Sequence, residues 1–133
     1  MRALIATALI LNISFASVVD DYLSSLKQEV LKTEPNFKTF DAKKGEEIFK
    51  SKHIGKKGKE ISCESCHTTN LANNGENIFT GKTIEPLSPK ANPKRLTDIS
   101  EIEKWLKRNF NDVYNKEGTP MEKGDVITYI MSK

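Results

Sequence analysis

The chain has 133 residues, of which 37% are hydrophobic and 29% charged, which is enough for one domain with a modest core. Its formal net charge of +3 is close to neutral for this length, which argues against general nucleic-acid binding. The chain contains two cysteines and two histidines, and it shows no internal repeat and no low-complexity tract.

The amino terminus predicts a secretory signal peptide. Met1 and Arg2 form a short cationic start, an apolar run follows over residues 3–13, and Ser-Phe-Ala at 14–16 places small residues where a signal peptidase reads. The apolar run is shorter than the roughly 20 residues that a transmembrane helix needs. We expect cleavage after Ala16 and a periplasmic protein. The chain then divides into a signal peptide (1–16), an N-terminal helical extension (17–40) and a main domain (41–133).

The exported chain has a helical pattern and predicts an all-α fold. Apolar residues recur at spacings of three and four in the first segment, and no segment shows sustained apolar alternation, so we expect few or no strands. Asp41 and Thr119-Pro120 are typical helix starts, and Pro35 ends the first helix. The expected helices are Val18 to Lys32, Ala42 to about Lys52, Asp98 towards Phe110, and Thr119-Pro120 to Met131.

The most informative motif is Cys-Glu-Ser-Cys-His at residues 63–67. Cys-x-x-Cys-His is the attachment signature of a c-type haem, because two thiols on a tight turn can each form a thioether with one vinyl group of the porphyrin. The adjacent imidazole then lies beneath the iron as its proximal ligand. The sequence therefore predicts one covalent haem c on Cys63 and Cys66, with His67 as an axial ligand.

Two other interpretations of a Cys-x-x-Cys pair exist, a zinc site and a redox dithiol. Zinc needs a second pair of soft ligands, and the chain offers no further cysteine and one further histidine, His53. A redox dithiol is expected on a βαβ pattern, which is absent from the sequence. Haem attachment in bacteria takes place outside the cytoplasm, so it also agrees with the predicted signal peptide.

Two of the predicted helices resemble the crossing helix pair of class I cytochromes c. Gly45 and Phe49 lie one turn apart on the helix before the motif, and Val126 and Tyr129 lie three residues apart on the last helix. A glycine inside a helix costs about 1 kcal/mol relative to alanine, so it usually marks close packing. The resemblance implies a class I cytochrome c-like fold wrapped around one haem.

The sixth ligand of the iron is not settled by the residues alone. Methionine and histidine are the usual choices for electron transfer. Met121 lies in the first turn of the last helix, Met131 lies three residues from the end, and His53 lies in a lysine-rich segment that is expected to be a solvated loop.

Four stretches resemble the sphaeroides haem protein (SHP) family, a small group of class I-like cytochromes c. They are GKTIEPLSP (81–89), NPKRLTD (92–98), EKWLKRN (103–109) and TPMEKGD (119–125). The resemblance implies that the distal ligand is an asparagine directly after an arginine, at the end of the tryptophan-containing helix. The matching residue is Asn109, and Met121 is the alternative ligand. If Asn109 is not a ligand, we expect it to be an ordinary helix C-cap, a position where asparagine is favoured.

An asparagine ligand implies a particular function. A neutral amide binds iron more weakly than a thioether or an imidazole, so it can be released when the iron is reduced and leave a site for O₂ or NO. The resemblance therefore implies an electron-transfer cytochrome with a ligand-labile haem. An ordinary Met-ligated electron carrier is the alternative. A haem enzyme or sensor is less well supported, because no catalytic acid or output domain can be identified.

The chain departs from the family at two positions. Better-known members carry a cysteine directly after the ligand asparagine and another just before the Thr-Pro pair, and these form a disulfide. This chain has Phe110 and Gly118 there, so the loop over residues 111–118 is not covalently closed.

Other residues are candidates for the haem surroundings and for partner binding. Arg95 and Trp105 can donate to haem propionates, and Phe49, Ile84 and Leu87 are candidates for the haem wall. A carbonyl of the 86–89 loop can accept from His67. We expect a monomer that receives electrons from a redox protein, such as a membrane dihaem cytochrome. A lysine cluster before the motif can steer an acidic partner: Lys50, Lys52, Lys56, Lys57 and Lys59.

Overall fold

Residues 17–133 are described by a computed structural model, and the predicted signal peptide lies outside the described residues. The described part is mainly helical, with short strands of two residues each, which confirms the all-α expectation. Its helices are α1 (Val18–Leu31), α2 (Ala42–Lys50), α3 (Glu64–His67), α4 (Ile99–Tyr114) and α5 (Pro120–Met131). Its strands are β1 (His53–Ile54), β2 (Glu60–Ile61), β3 (Gly75–Glu76) and β4 (Thr83–Ile84).

Side-chain caps fix the starts of the long helices. Asp41 accepts from the backbone N–H groups of the first turn of α2, and Asp98 does the same for α4. Thr119 and Glu122 form a reciprocal capping box on α5, with Pro120 at the first helical position. These starts agree with the sequence predictions.

Two helix ends differ from the sequence predictions. Helix α4 continues four residues beyond Phe110, because Val113 extends its buried face, and it ends at Asn115 in the left-handed conformation (φ 55°). Helix α2 stops at Lys50, because Ser51 is already extended.

Helix α1 packs across α5 and touches α4. Its buried residues are Val19, Tyr22, Leu26 and Val30, and the first three join the core formed by α4 and α5. Leu23 is half-buried and packs against this core.

Helices α2 and α5 cross in close contact at Gly45. A Cβ atom at Gly45 would lie 1.9 Å from the carbonyl oxygen of Asp125 and 2.9 Å from the Cβ of Tyr129. The Phe49 and Tyr129 rings pack beside this contact with centroids 5.4 Å apart. The predicted helix crossing is therefore confirmed.

The strands form two short antiparallel pairs on either side of α3. β1 pairs with β2 before it, and β3 pairs with β4 after it. These pairs fix the chain where it enters and leaves α3. Among residues 17–133, no helix has both the length and the apolar character needed to cross a membrane.

Gly45→Ala is predicted to lower the free energy of unfolding of the haem-loaded protein by about 2 kcal/mol, because the added methyl group must force the two backbones apart. Denaturation in guanidinium chloride measures this. Gly81→Asn is the control, since Gly81 has open space around it and a positive φ that asparagine tolerates. Equal stabilities of the two variants would contradict the close crossing.

A second prediction concerns Asp125, which is buried and accepts from the backbone N–H of Asp41 at 2.8 Å. Burial raises the pKa of this carboxyl, so the folded protein keeps its proton to higher pH than the unfolded chain and loses stability as the pH rises through that interval. Asp125→Asn keeps the acceptor without the charge. Its stability relative to the parent protein is therefore expected to increase from pH 3 to pH 7 in denaturation curves. A stability difference that is constant or falls with pH would contradict this.

Candidate functional site

A single helical turn holds the two cysteines and His67 together. The Cys63 carbonyl accepts from the backbone N–H of Cys66 at 3.2 Å and from that of His67 at 3.1 Å. Neither cysteine is in a disulfide. The turn therefore presents two thiols and an imidazole side by side, as the sequence predicts.

The chain reverses sharply after this turn. Thr68 has φ 65° and ψ 171°, a conformation that costs a β-branched residue on the order of 1–3 kcal/mol. Strand β3 then returns against the turn, so closely that a Cβ atom at Gly75 would lie 2.0 Å from the Cys66 carbonyl oxygen. The sequence analysis did not identify Gly75 as a site of close backbone approach. A glycine soon after the haem motif was a signal from which this contact could have been predicted.

The surroundings of Cys63 do not favour a thiolate. Burial raises the pKa of Cys63 to about 12, so its thiol stays protonated at neutral pH. Thiol–disulfide exchange depends on the thiolate, so these surroundings do not favour a redox dithiol. Within residues 17–133, no group of three or more His, Cys, Asp or Glu side chains has the arrangement of a metal site.

His67 is held as a neutral imidazole. Partial burial and the nearby charge of Arg95 lower the pKa of His67 to about 4. The Phe49 ring lies beside it, with centroids 6.0 Å apart. A neutral imidazole has a nitrogen lone pair free for a metal, which is the form that an axial ligand requires.

Arg95 braces the loop beside His67. Its Nε donates to the Pro86 carbonyl at 2.9 Å, and its Nη2 donates to the Glu85 carbonyl at 2.8 Å. The Pro86 carbonyl thus accepts from Arg95, and among the described residues the His67 ring donates no hydrogen bond to it.

Trp105 lies on α4 and is 43% exposed. Its Nε1 donates to Glu101 at 3.1 Å, and cationic groups of Lys104 and Arg108 lie within 5.4 Å of its ring centroid. Of the expected haem-wall residues, Phe49 is fully buried, and Ile84 and Leu87 are half-buried.

The two candidate distal ligands lie on different helices. Asn109 is half-buried in the third turn of α4, at helical spacing from the buried residues Ile102, Leu106 and Val113. Met121 is half-buried in the first turn of α5.

The expectation of a solvated loop at His53 is wrong. His53 lies in β1, half-buried, with its ring 4.2 Å from that of Tyr114 and its Nε2 2.9 Å from the Ser51 hydroxyl. The lysines around it are exposed, and Lys50 pairs with Glu46 at 2.7 Å.

These residues fit haem c. Two cysteines on one turn, not joined in a disulfide, suit two thioether bonds, and the neutral imidazole beside them suits the iron. The same residues do not fit zinc, which needs a larger set of ligands than the described residues bring together.

Comparison with known proteins agrees with this assignment. A family model described as a domain of unknown function, DUF1924, matches residues 35–130. The cytochrome c-type protein SHP of Cereibacter sphaeroides is 40% identical over 93 residues, which cover 70% of this chain and 71% of that protein. Cytochrome c'' of Methylophilus methylotrophus is 43% identical over 89 residues, which cover 67% of this chain and 62% of that protein, less than two thirds of its length.

The chain belongs to this family of c-type cytochromes. The crystal structure of oxidised cytochrome c'' superimposes with a TM-score of 0.78 at 34% identity, covering 87% of this chain and 94% of that one. The structure of oxidised SHP gives 0.77 at 31% identity, covering 90% and 100%. The protein is therefore a monohaem cytochrome with a class I cytochrome c-like fold and one covalently bound haem c.

Proposed function

We propose that this cytochrome transfers electrons in the periplasm and that its distal ligand, Asn109, is released on reduction so that O₂ or NO can bind. Cys63 and Cys66 attach the haem, and His67 is the proximal ligand. Haem c supplies an iron that exchanges single electrons and accepts axial ligands. When haem is bound, Phe49, Ile84 and Leu87 would form its apolar surroundings. Arg95 and Trp105 would donate to the propionates, for which they would exchange their present hydrogen bonds to loop carbonyls and to Glu101.

The observation that carries this proposal is the position of Asn109. It lies on the inward-facing side of α4, and among the described residues its side-chain amide makes no hydrogen bond. By contrast, the amide of Asn111, two residues on, donates to the Lys107 carbonyl at 2.8 Å. Because no protein group binds the Asn109 amide among the described residues, and its atoms are not enclosed, the amide is available as a ligand.

The chemistry of an amide explains the proposed switch. A carboxamide oxygen is a hard, neutral donor that suits ferric iron better than the softer ferrous iron. After release, the Asn109 amide stays nearby, and its N–H groups can donate a hydrogen bond to the incoming diatomic molecule.

Two relatives support this direction. The structure of oxidised SHP is described as that of an oxygen-binding cytochrome c. The solution structure of cytochrome c'' is described in terms of haem-ligand detachment. A ligand that detaches and a haem that binds oxygen are the two properties that we propose for this chain.

Met121 is the ligand in the alternative function, an ordinary electron carrier. Its thioether is a soft donor that favours ferrous iron and would stay bound in both oxidation states. Its half-buried position in α5 keeps this alternative open to experiment.

Optical and EPR spectra of ferric and ferrous protein distinguish the two functions. The parent protein is expected to lack a sulfur-to-iron charge-transfer band when ferric and to be high-spin when ferrous. Asn109→Ala is expected to change the ferric spectrum, while Met121→Ala leaves it unchanged. Asn111→Ala is the matched control, because it removes a neighbouring asparagine of the same helix that already has a partner. A thioether band that disappears in Met121→Ala would contradict the proposal.

We also propose that the basic segment before the motif docks an acidic redox partner, such as a membrane dihaem cytochrome. Lys52, Lys56, Lys57 and Lys59 are exposed around the exposed side chain of Ile54. A positive surface with an apolar centre suits transient association with a protein of opposite charge.

Oxidation of the ferrous protein by ferricyanide, an anionic probe, tests the charge of this surface. Lys56→Gln with Lys59→Gln is expected to slow the reaction about threefold or more at low ionic strength, and the difference should disappear near 1 M salt. Lys32→Gln with Lys38→Gln is the control, because it changes the net charge equally in the segment between α1 and α2. Equal rates for the two double variants would contradict local steering.

A further inference from the structure

Phe110, the residue after Asn109, packs closely against Gly118. Phe110 is 4% exposed, and its ring lies flat against Gly118 in the α4–α5 connection. A Cβ atom at Gly118 would lie 2.7 Å from Cδ2 and 2.8 Å from Cγ of Phe110, so residue 118 has no room for any side chain.

Phe110 begins a row of three aromatic rings that we name the aromatic brace: Phe110, Tyr114 and His53. The Phe110 and Tyr114 rings are one helical turn apart with centroids separated by 5.5 Å, and the His53 ring follows at 4.2 Å. The Tyr114 hydroxyl donates to the Ile48 carbonyl on α2, and His53 is held by Ser51. The brace thus joins α4 to the segment before the haem motif.

Two polar contacts tie the same parts together. The backbone N–H of Lys56 donates to the Asp112 carbonyl at 2.9 Å, and Nδ2 of Asn115 donates to the Ile54 carbonyl at 2.9 Å. The C-terminal half of α4 is therefore fixed on one side by the β1–β2 hairpin and on the other by Gly118.

We propose that the aromatic brace and Gly118 are positioning residues that hold Asn109 in place and set how readily it gives way to another ligand. This rests on the proposed role of Asn109 as the distal ligand. Asn109 and Phe110 are consecutive residues of α4. A tilt or rotation of α4 that moves Asn109 away from the iron therefore also lifts the Phe110 ring off Gly118. Close-packed contacts resist such a movement, since few alternative arrangements fill the same space.

Imidazole binding to the ferric, haem-loaded protein, followed by optical titration, measures how firmly Asn109 is held. Gly118→Ala displaces the Phe110 ring and is expected to tighten imidazole binding about fivefold or more, because a larger fraction of molecules has Asn109 released. Gly81→Asn is the control: it replaces a glycine with nothing within 4 Å, at a positive φ that asparagine tolerates. Adding Phe110→Leu to Gly118→Ala makes room for the methyl group and is expected to reverse part of the change.

The same titration in an Asn109→Ala background separates a positioning effect from a general loss of packing. There Gly118→Ala is expected to change imidazole affinity by less than about twofold, because the group that it positions is gone. Tyr114→Phe, which removes one hydroxyl and keeps the ring, is a milder variant expected to shift affinity in the same direction, should Gly118→Ala not fold.

The outcomes are distinguishable. If Asn109→Ala leaves imidazole affinity unchanged, the ligand role of Asn109 is wrong. If Asn109→Ala tightens binding but Gly118→Ala and Tyr114→Phe match the Gly81→Asn control, the brace is wrong and the ligand role stands. A Gly118→Ala effect of equal size with and without Asn109 would also overturn the brace.

Discussion

The crossing of α2 and α5 at Gly45 is the contact on which the rest of the structure depends. Because the two backbones touch, Phe49 is brought both to the Tyr129 ring and to the imidazole of His67. The Ile48 carbonyl of α2 also accepts a hydrogen bond from the Tyr114 hydroxyl of α4. One close approach between helices thereby orders the proximal side of the site and one support of the helix that carries Asn109.

The two sides of the site are built in different ways. On the His67 side, Gly75 and Thr68 fix the turn through the backbone, and the Arg95 side chain fixes the adjacent loop by donating to its carbonyls, which suits a ligand that stays bound. Helix α4, which carries the proposed distal ligand Asn109, is held by ring packing on the hairpin and on Gly118 and by the hydrogen bond from the Lys56 N–H to the Asp112 carbonyl. Single substitutions can change packing contacts. This arrangement therefore suits the proposed role of Asn109, in which the packing of α4 sets how readily the ligand is released.

Much of the fold could be predicted from local signals. Asp41, Asp98 and Thr119 cap helices by chemistry that a sequence displays, and the haem motif and Gly45 act through short, recognisable spacings. The contacts of His53, Arg95 and Gly118 could not be predicted in this way, because no local sequence pattern links them to their partners. His53 packs on Tyr114, Arg95 donates to the Pro86 carbonyl, and Gly118 contacts the Phe110 ring. The resemblance to the SHP family singled out residues 110 and 118 through two missing cysteines, and the structure shows that Phe110 and Gly118 are in contact without them.

The most direct test of the account is a pair of crystal structures of the haem-loaded protein, one ferric and one ferrous. The account predicts the carboxamide oxygen of Asn109 at bonding distance from the iron in the ferric structure and withdrawn from it in the ferrous structure, with His67 bound in both. The sulfur of Met121 on the iron in both oxidation states would contradict it.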